Sequence, residues 1–79
     1  MPRYFFDLQD HEFVIDDEGT ELQDDRVAKM QAVVSAGEYL RDHPELAWDG
    51  HEIRVHVFDA EHQPLFLVAI LGVSLKRPL

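Results

Sequence analysis

The sequence predicts an α+β two-layer sandwich, an antiparallel sheet of about four strands with one helix packed on one face. Three observations lead there. The chain opens on Arg3-Tyr4-Phe5-Phe6, an apolar start that a terminus carries only when it is tied into a sheet. A single helical segment lies between Asp25 and Asp42. Two segments of strand character precede it and two follow, so the order reads hairpin, helix, hairpin (ββαββ).

The elements follow in order. Arg3 to Gln9 is the first strand, with Tyr4, Phe6 and Leu8 on one face and Arg3, Phe5 and Asp7 on the other. Gln9-Asp10-His11 is a turn in which the Asp10 carboxylate can bond nearby backbone. Glu12 to Asp16 is the second strand, expected to pair antiparallel with the first. Asp16-Asp17-Glu18-Gly19 is a loop, with Gly19 expected at positive φ. Asp24 or Asp25 is the expected N-cap, both carboxylates lying at the positive end of the helix dipole. The helix ends near Asp42, because Pro44 turns His43 away from α geometry.

Val27, Met30, Val33, Val34, Gly37 and Leu40 form a wide apolar arc expected to face the core. Ala28, Ala32, Ala36 and Tyr39 lie beside it. Trp48, in the connection from Pro44 to Gly50, is expected to anchor into the core. Glu52 to Asp59 alternates Ile53, Val55 and Val57 against Arg54, His56 and Phe58. After a turn from Ala60 to Pro64, the last strand runs from Leu65 to Val73 and is apolar on both faces. Lys76-Arg77-Pro78 makes a small basic tail.

Seventy-nine residues make one domain, 1–79. A chain this small buries only about 60% of the surface its unfolded form exposes. It has no cysteine to staple it, so packing or oligomerisation must supply the stability. One helix covers one sheet face. The other face is expected to carry Phe5 and Phe58 together with Phe66, Val68 and Ile70 or the alternate set of the last strand. An apolar patch of that kind marks a contact surface. The expectation is therefore a homodimer through the open sheet face or an edge strand, with Phe5, Phe58, Phe66, Val68 and Ile70 as candidate interface residues.

Charge narrows the partners. Seven Lys and Arg against 16 Asp and Glu give a net charge of −9. Nucleic-acid binding needs basic side chains to release counterions, and anionic membranes need them too. Neither is an expected partner; an unidentified protein is. The apolar run from Leu65 to Val73 is too short to span a bilayer. No basic region followed by an apolar core marks a signal peptide, and a cytoplasmic location is the expectation.

Several residues together resemble a known family. The opening Pro2-Arg3-Tyr4-Phe5-Phe6, the loop Asp17-Glu18-Gly19-Thr20-Glu21-Leu22 and the helix start from Asp24 to Ala28 resemble a domain-of-unknown-function family of small proteins common in rhizobia and related alphaproteobacteria. The alternating strand Ile53 to Asp59, its acidic turn and the strand Leu65 to Ile70 fit the same pattern. Two positions depart from it: Gln23 stands where the family often has Pro, and Asp10-His11 where it often has Gly. The resemblance implies a small standalone bacterial domain and supplies no catalytic residue.

The candidates for chemistry each have a simpler reading beside them. Pro2, freed of Met1, would be an N-terminal secondary amine able to act as a base in the manner of small tautomerases, its pKa lowered by an apolar pocket. Those enzymes resemble β-α-β units, whereas here a hairpin precedes the helix, and a proline opening an edge strand explains Pro2 as well. His11, His43, His51, His56 and His62 show no metal-ligand spacing and read as scattered surface histidines. Asp16, Asp17 and Glu18 lack the alternating ligands of a calcium loop and read as a solvated turn.

Arg3 and Arg54 beside Phe5 could suggest an RNA-binding sheet, but the acidic background favours cross-strand pairs with carboxylates such as Asp7 or Glu12. No glycine-rich phosphate loop or serine triad is present. The expected function is a non-catalytic interaction or regulatory module acting as a homo-oligomer, without cofactor or metal. The alternative is a small-ligand-binding or tautomerase-like protein with a site at the subunit seam using Pro2.

Overall fold

The computed structural model describes residues 1–76; Arg77 and Pro78 of the basic tail lie outside the described residues. The elements are β1 (Arg3–Gln9), β2 (Phe13–Val14), β3 (Thr20–Glu21), α1 (Asp25–Asp42), a 3-10 turn at Pro44–Ala47, β4 (Ile53–Phe58) and β5 (Pro64–Ile70). The sheet is antiparallel throughout, in the order β2-β1-β4-β5, with β3 pairing to the start of β1. This is the expected α+β sandwich with one helix on one face, its sheet carrying five strands.

The fifth strand arises because the second expected strand is broken. Only Phe13 and Val14 pair with β1, opposite Gln9 and Leu8. The chain then leaves the ladder and returns as Thr20 and Glu21 opposite Tyr4 and Arg3. β5 begins at Pro64 and stops at Ile70, short of the expected Val73. Beyond it the Gly72 N–H bonds the Ala47 carbonyl, drawing the chain toward the 3-10 turn.

The helix has the expected bounds and the expected cap. Asp24 is extended, and its Oδ1 accepts the Val27 N–H at 3.0 Å. Asp25 instead accepts the Tyr4 hydroxyl at 2.6 Å. At the other end the His43 N–H bonds the Tyr39 and Leu40 carbonyls before Pro44 stops the helix.

The face the helix buries differs from the expected one. Ala28, Ala32 and Ala36 are fully buried, whereas Met30, Val33 and Val34 are more than half exposed. An alanine side ends at Cβ, so the helix settles close to the sheet and the larger sheet side chains fill the interface. Tyr4, Val55 and Val57 form that core with the three alanines; Phe6, Leu8, Leu22, Phe66, Val68 and Ile70 pack around it. Trp48 does not anchor in the core as expected. It is 47% exposed, and its ring lies against the Gly72 backbone, where an added Cβ would fall 2.6 Å from the ring.

Candidate functional site

The sheet face away from the helix carries a cluster of rings. Phe5 and Phe58 are cross-strand partners on β1 and β4. His62, held at φ 62° in the β4–β5 turn, meets the Phe5 ring edge-on with centroids 5.0 Å apart. Phe58 lies 6.5 Å from both His62 and His56, and Phe13 stacks on His56 at 6.0 Å.

A loop walls this cluster into a cavity. Phe5, Asp7, Ile15, Asp16, Phe58 and His62 line a space of about 340 Å³. The loop stands there because Asp16 pins it to β1. Its carboxylate accepts the N–H groups of Phe6 and Gly19 at 3.0 Å and of Glu18 at 3.1 Å. Burial pushes the Asp16 carboxyl up, but the Gly19, Phe6 and Glu18 N–H groups and the Arg3 charge outweigh it and hold the group below its ordinary 3.8. Gly19 has the expected positive φ, 76°, and an added Cβ would meet Arg3 Cγ at 2.9 Å and the Tyr4 carbonyl at 3.0 Å. The Arg3 guanidinium donates to the Glu18 carbonyl at 2.7 Å and pairs with Glu21 at 3.5 Å.

Among the described residues Asp7 is the one buried charged residue, 8% exposed on the cavity wall. Its Oδ1 accepts the Asp16 N–H at 3.0 Å. Among the described residues no donor reaches its Oδ2. Among the described residues no fully buried side-chain polar atom lacks a partner, so that oxygen is not sealed from solvent, and Asp7 lines the cavity.

The five candidate interface residues divide. Phe5 and Phe58 stand together on the open face. Phe66, Val68 and Ile70 stand on the opposite, helix-facing side, because their register partners are the buried Val57, Val55 and Ile53. The open face of β5 carries Leu65, Leu67 and Ala69 instead. Pro2 is exposed beside β3, its carbonyl accepting the Leu22 N–H, and it does not line the cavity. Arg3 pairs with Glu21 and Arg54 with Glu52, replacing the expected partners Asp7 and Glu12. Among the described residues no three His, Asp or Glu side chains converge to hold a metal ion.

A second feature lies at the sheet's far edge. β5 is the terminal strand, and no charged residue occurs from Pro64 to Ser74. Leu67 is 50% exposed on its open face. On the helix side the Lys29 ammonium sits 5.7 Å above the Phe66 ring. That contact sets the Lys29 flank of α1 over β5, and Val33, one turn on and 55% exposed, shares the flank.

The family model of the domain of unknown function DUF6894 matches residues 3–72. The chain belongs to that family. No curated protein and no solved structure matches it. The matched span of the family runs from β1 through β5 and so includes both the walled cavity and the bare edge. Among the described residues no helix is long and apolar enough to cross a membrane.

Proposed function

We propose that this DUF6894 domain is a self-association and protein-interaction module whose role is assembly rather than catalysis. Two copies pair through the outer edge of β5 and join their sheets across a two-fold axis. The observation that carries this reading is the uncharged edge of β5, regular from Phe66 to Ile70. A strand of that kind presents a row of unpaired backbone N–H and C=O groups, and natural sheets blunt such rows with charges, bulges or very short strands. The opposite edge is blunted in that way, by two-residue ladders and the Asp16 carboxylate. β5 has Pro64 and a bulged Leu65 at its start, but from Phe66 to Ile70 it runs as a regular, uncharged edge with no such device.

The surroundings favour a second copy as the occupant. A two-fold axis beside β5 brings the Val33 flanks of two helices together on one side and the exposed Leu65 and Leu67 side chains together on the other. The net charge of −9 repels another copy at long range, and the uncharged stretch from Pro64 to Ser74 is where that repulsion is least.

Sedimentation of the wild type and of Leu67→Lys tests the reading. A lysine at this half-exposed position leaves the core intact and places like charges across the axis. The wild type should sediment as a dimer and Leu67→Lys as a monomer with an unchanged circular dichroism spectrum. A wild-type monomer at high concentration, or a dimer indifferent to both Leu67→Lys and Val33→Lys, would overturn it.

A further inference from the structure

The Asp7 carboxylate is buried with a single hydrogen-bond donor among the described residues. A buried charge is stable when paired or fully hydrogen-bonded. Asp7 has one backbone N–H on Oδ1, and it lines the cavity together with Phe5 and Phe58. The site is therefore a buried carboxylate on the wall of a space of about 340 Å³ that it shares with Phe5, Phe58, Ile15 and His62. The second wall carboxylate, Asp16, has its oxygens taken by three backbone N–H groups and adds negative field without competing as a ligand. Arg3, the cation that acts on Asp16, is engaged outside the cavity by Glu18 and Glu21.

Aromatic faces attract a desolvated cation through their quadrupole, and a carboxylate takes an ammonium through charge-assisted hydrogen bonds. An anion would meet two carboxylates, and a neutral molecule would bring no charge to Asp7, whose cross-strand neighbour is His56. We infer that the Phe5–Asp7–Phe58 cavity binds the ammonium group of a primary alkylamine, either free or at the tip of a lysine side chain. The ammonium donates to Asp7 Oδ2, and its alkyl stem lies between the Phe5 and Phe58 rings against Ile15. The cavity lies over β1 and β4, away from the outer edge of β5, and its occupation does not depend on the pairing of two copies.

Amide NMR titration of the full chain tests this. The probes are n-pentylammonium, its neutral counterpart 1-pentanol, and Nα-acetyl-lysine methylamide. The expected result is saturable shifts at residues 5–7, 15–16, 58 and 62 with the ammonium probes, and binding of 1-pentanol weaker by roughly tenfold. Tighter binding of the lysine amide would identify a protein side chain as the source; tighter binding of n-pentylammonium would identify a free amine. Asp7→Asn keeps the acceptor for the Asp16 N–H and should weaken ammonium binding by roughly tenfold while leaving 1-pentanol unchanged. Phe58→Leu keeps the bulk, removes the ring face and gives a second reading if Asp7→Asn does not fold. Equal binding of 1-pentanol, an undiminished Asp7→Asn, or shifts spread over the whole acidic surface and erased by salt would overturn the inference.

Discussion

The Asp16 carboxylate accepts the Phe6 backbone N–H at 3.0 Å, in the gap on β1 between the residues paired with β2 and those paired with β3. A side chain thus completes a ladder the backbone leaves open. The same carboxylate holds the turn at Glu18 and Gly19, so one residue closes a sheet edge and builds the wall of the cavity.

Replacing Asp16 should be costly for a loop residue. Asp16→Ala leaves the Phe6, Glu18 and Gly19 N–H groups to water. Solvent near the loop recovers part of this, so the expected loss in urea unfolding is about 2 kcal/mol. Asp16→Asn retains acceptor capacity and should lose less.

Acid should destabilise the domain through the same group. Asp16 is held below 3.8 in the fold, and so is Asp10, whose carboxylate accepts the Glu12 N–H and the Tyr39 hydroxyl. Both groups bind protons more readily when unfolded. Their stabilisation is present above the ordinary carboxyl pKa and lost as pH falls through the depressed folded values. Urea midpoints measured from neutral pH down to about pH 3 should therefore fall at the acid end, and Asp16→Asn should flatten that fall.

Alkali should act through tyrosine. The hydrogen bond from the Tyr4 hydroxyl to Asp25, with burial and the Asp25 and Asp24 charges, pushes Tyr4 up to about 12 from 10.0. Tyr39 is raised too, first by its hydrogen bond to Asp10. A raised folded pKa gives stability that is complete below the unfolded value and lost as pH rises through the folded one. The domain should lose stability between about pH 10 and 12. In Tyr4→Phe both that loss and the latest step of tyrosinate absorbance should shrink.

Two glycines should respond in opposite directions. Gly19→Ala meets a left-handed backbone and the Tyr4 carbonyl, and should cost about 2 kcal/mol or more. Gly37 lies inside α1 with nothing within 4 Å of an added Cβ, so Gly37→Ala should stabilise by about 0.5–1 kcal/mol. Thermal unfolding of the two variants beside the wild type separates them.

These residues also mark where sequence reasoning reached. The helix bounds, an aspartate cap at Asp24 or Asp25, the Gly19 conformation and the faces of β1 and β4 were legible, because each follows from local chemistry or strict alternation. The buried face of α1 was not. Two apolar arcs share that helix, and the choice of Ala28, Ala32 and Ala36 over the valines rests on how closely the helix can approach the sheet. The orientation of β5 was open for a similar reason: with apolar residues on both faces, only the pairing of Val57 with Phe66 decides which side is inward. Of the cavity, Phe5 and Phe58 were found; Asp7, Ile15, Asp16 and His62 were not. Asp7 carried a signal, a carboxylate set between Phe6 and Leu8, but its partner Asp16 is brought in only by the irregular return after β2.

Amide hydrogen exchange along β5 tests the central claim, that two copies pair edge to edge. In an unpaired edge strand the N–H groups point alternately to β4 and to solvent. Pairing therefore predicts protection of every amide from Phe66 to Ile70, the regular part of the strand, in the wild type at high concentration, with every second one released in Leu67→Lys. Fast exchange at alternate amides in the concentrated wild type would contradict it.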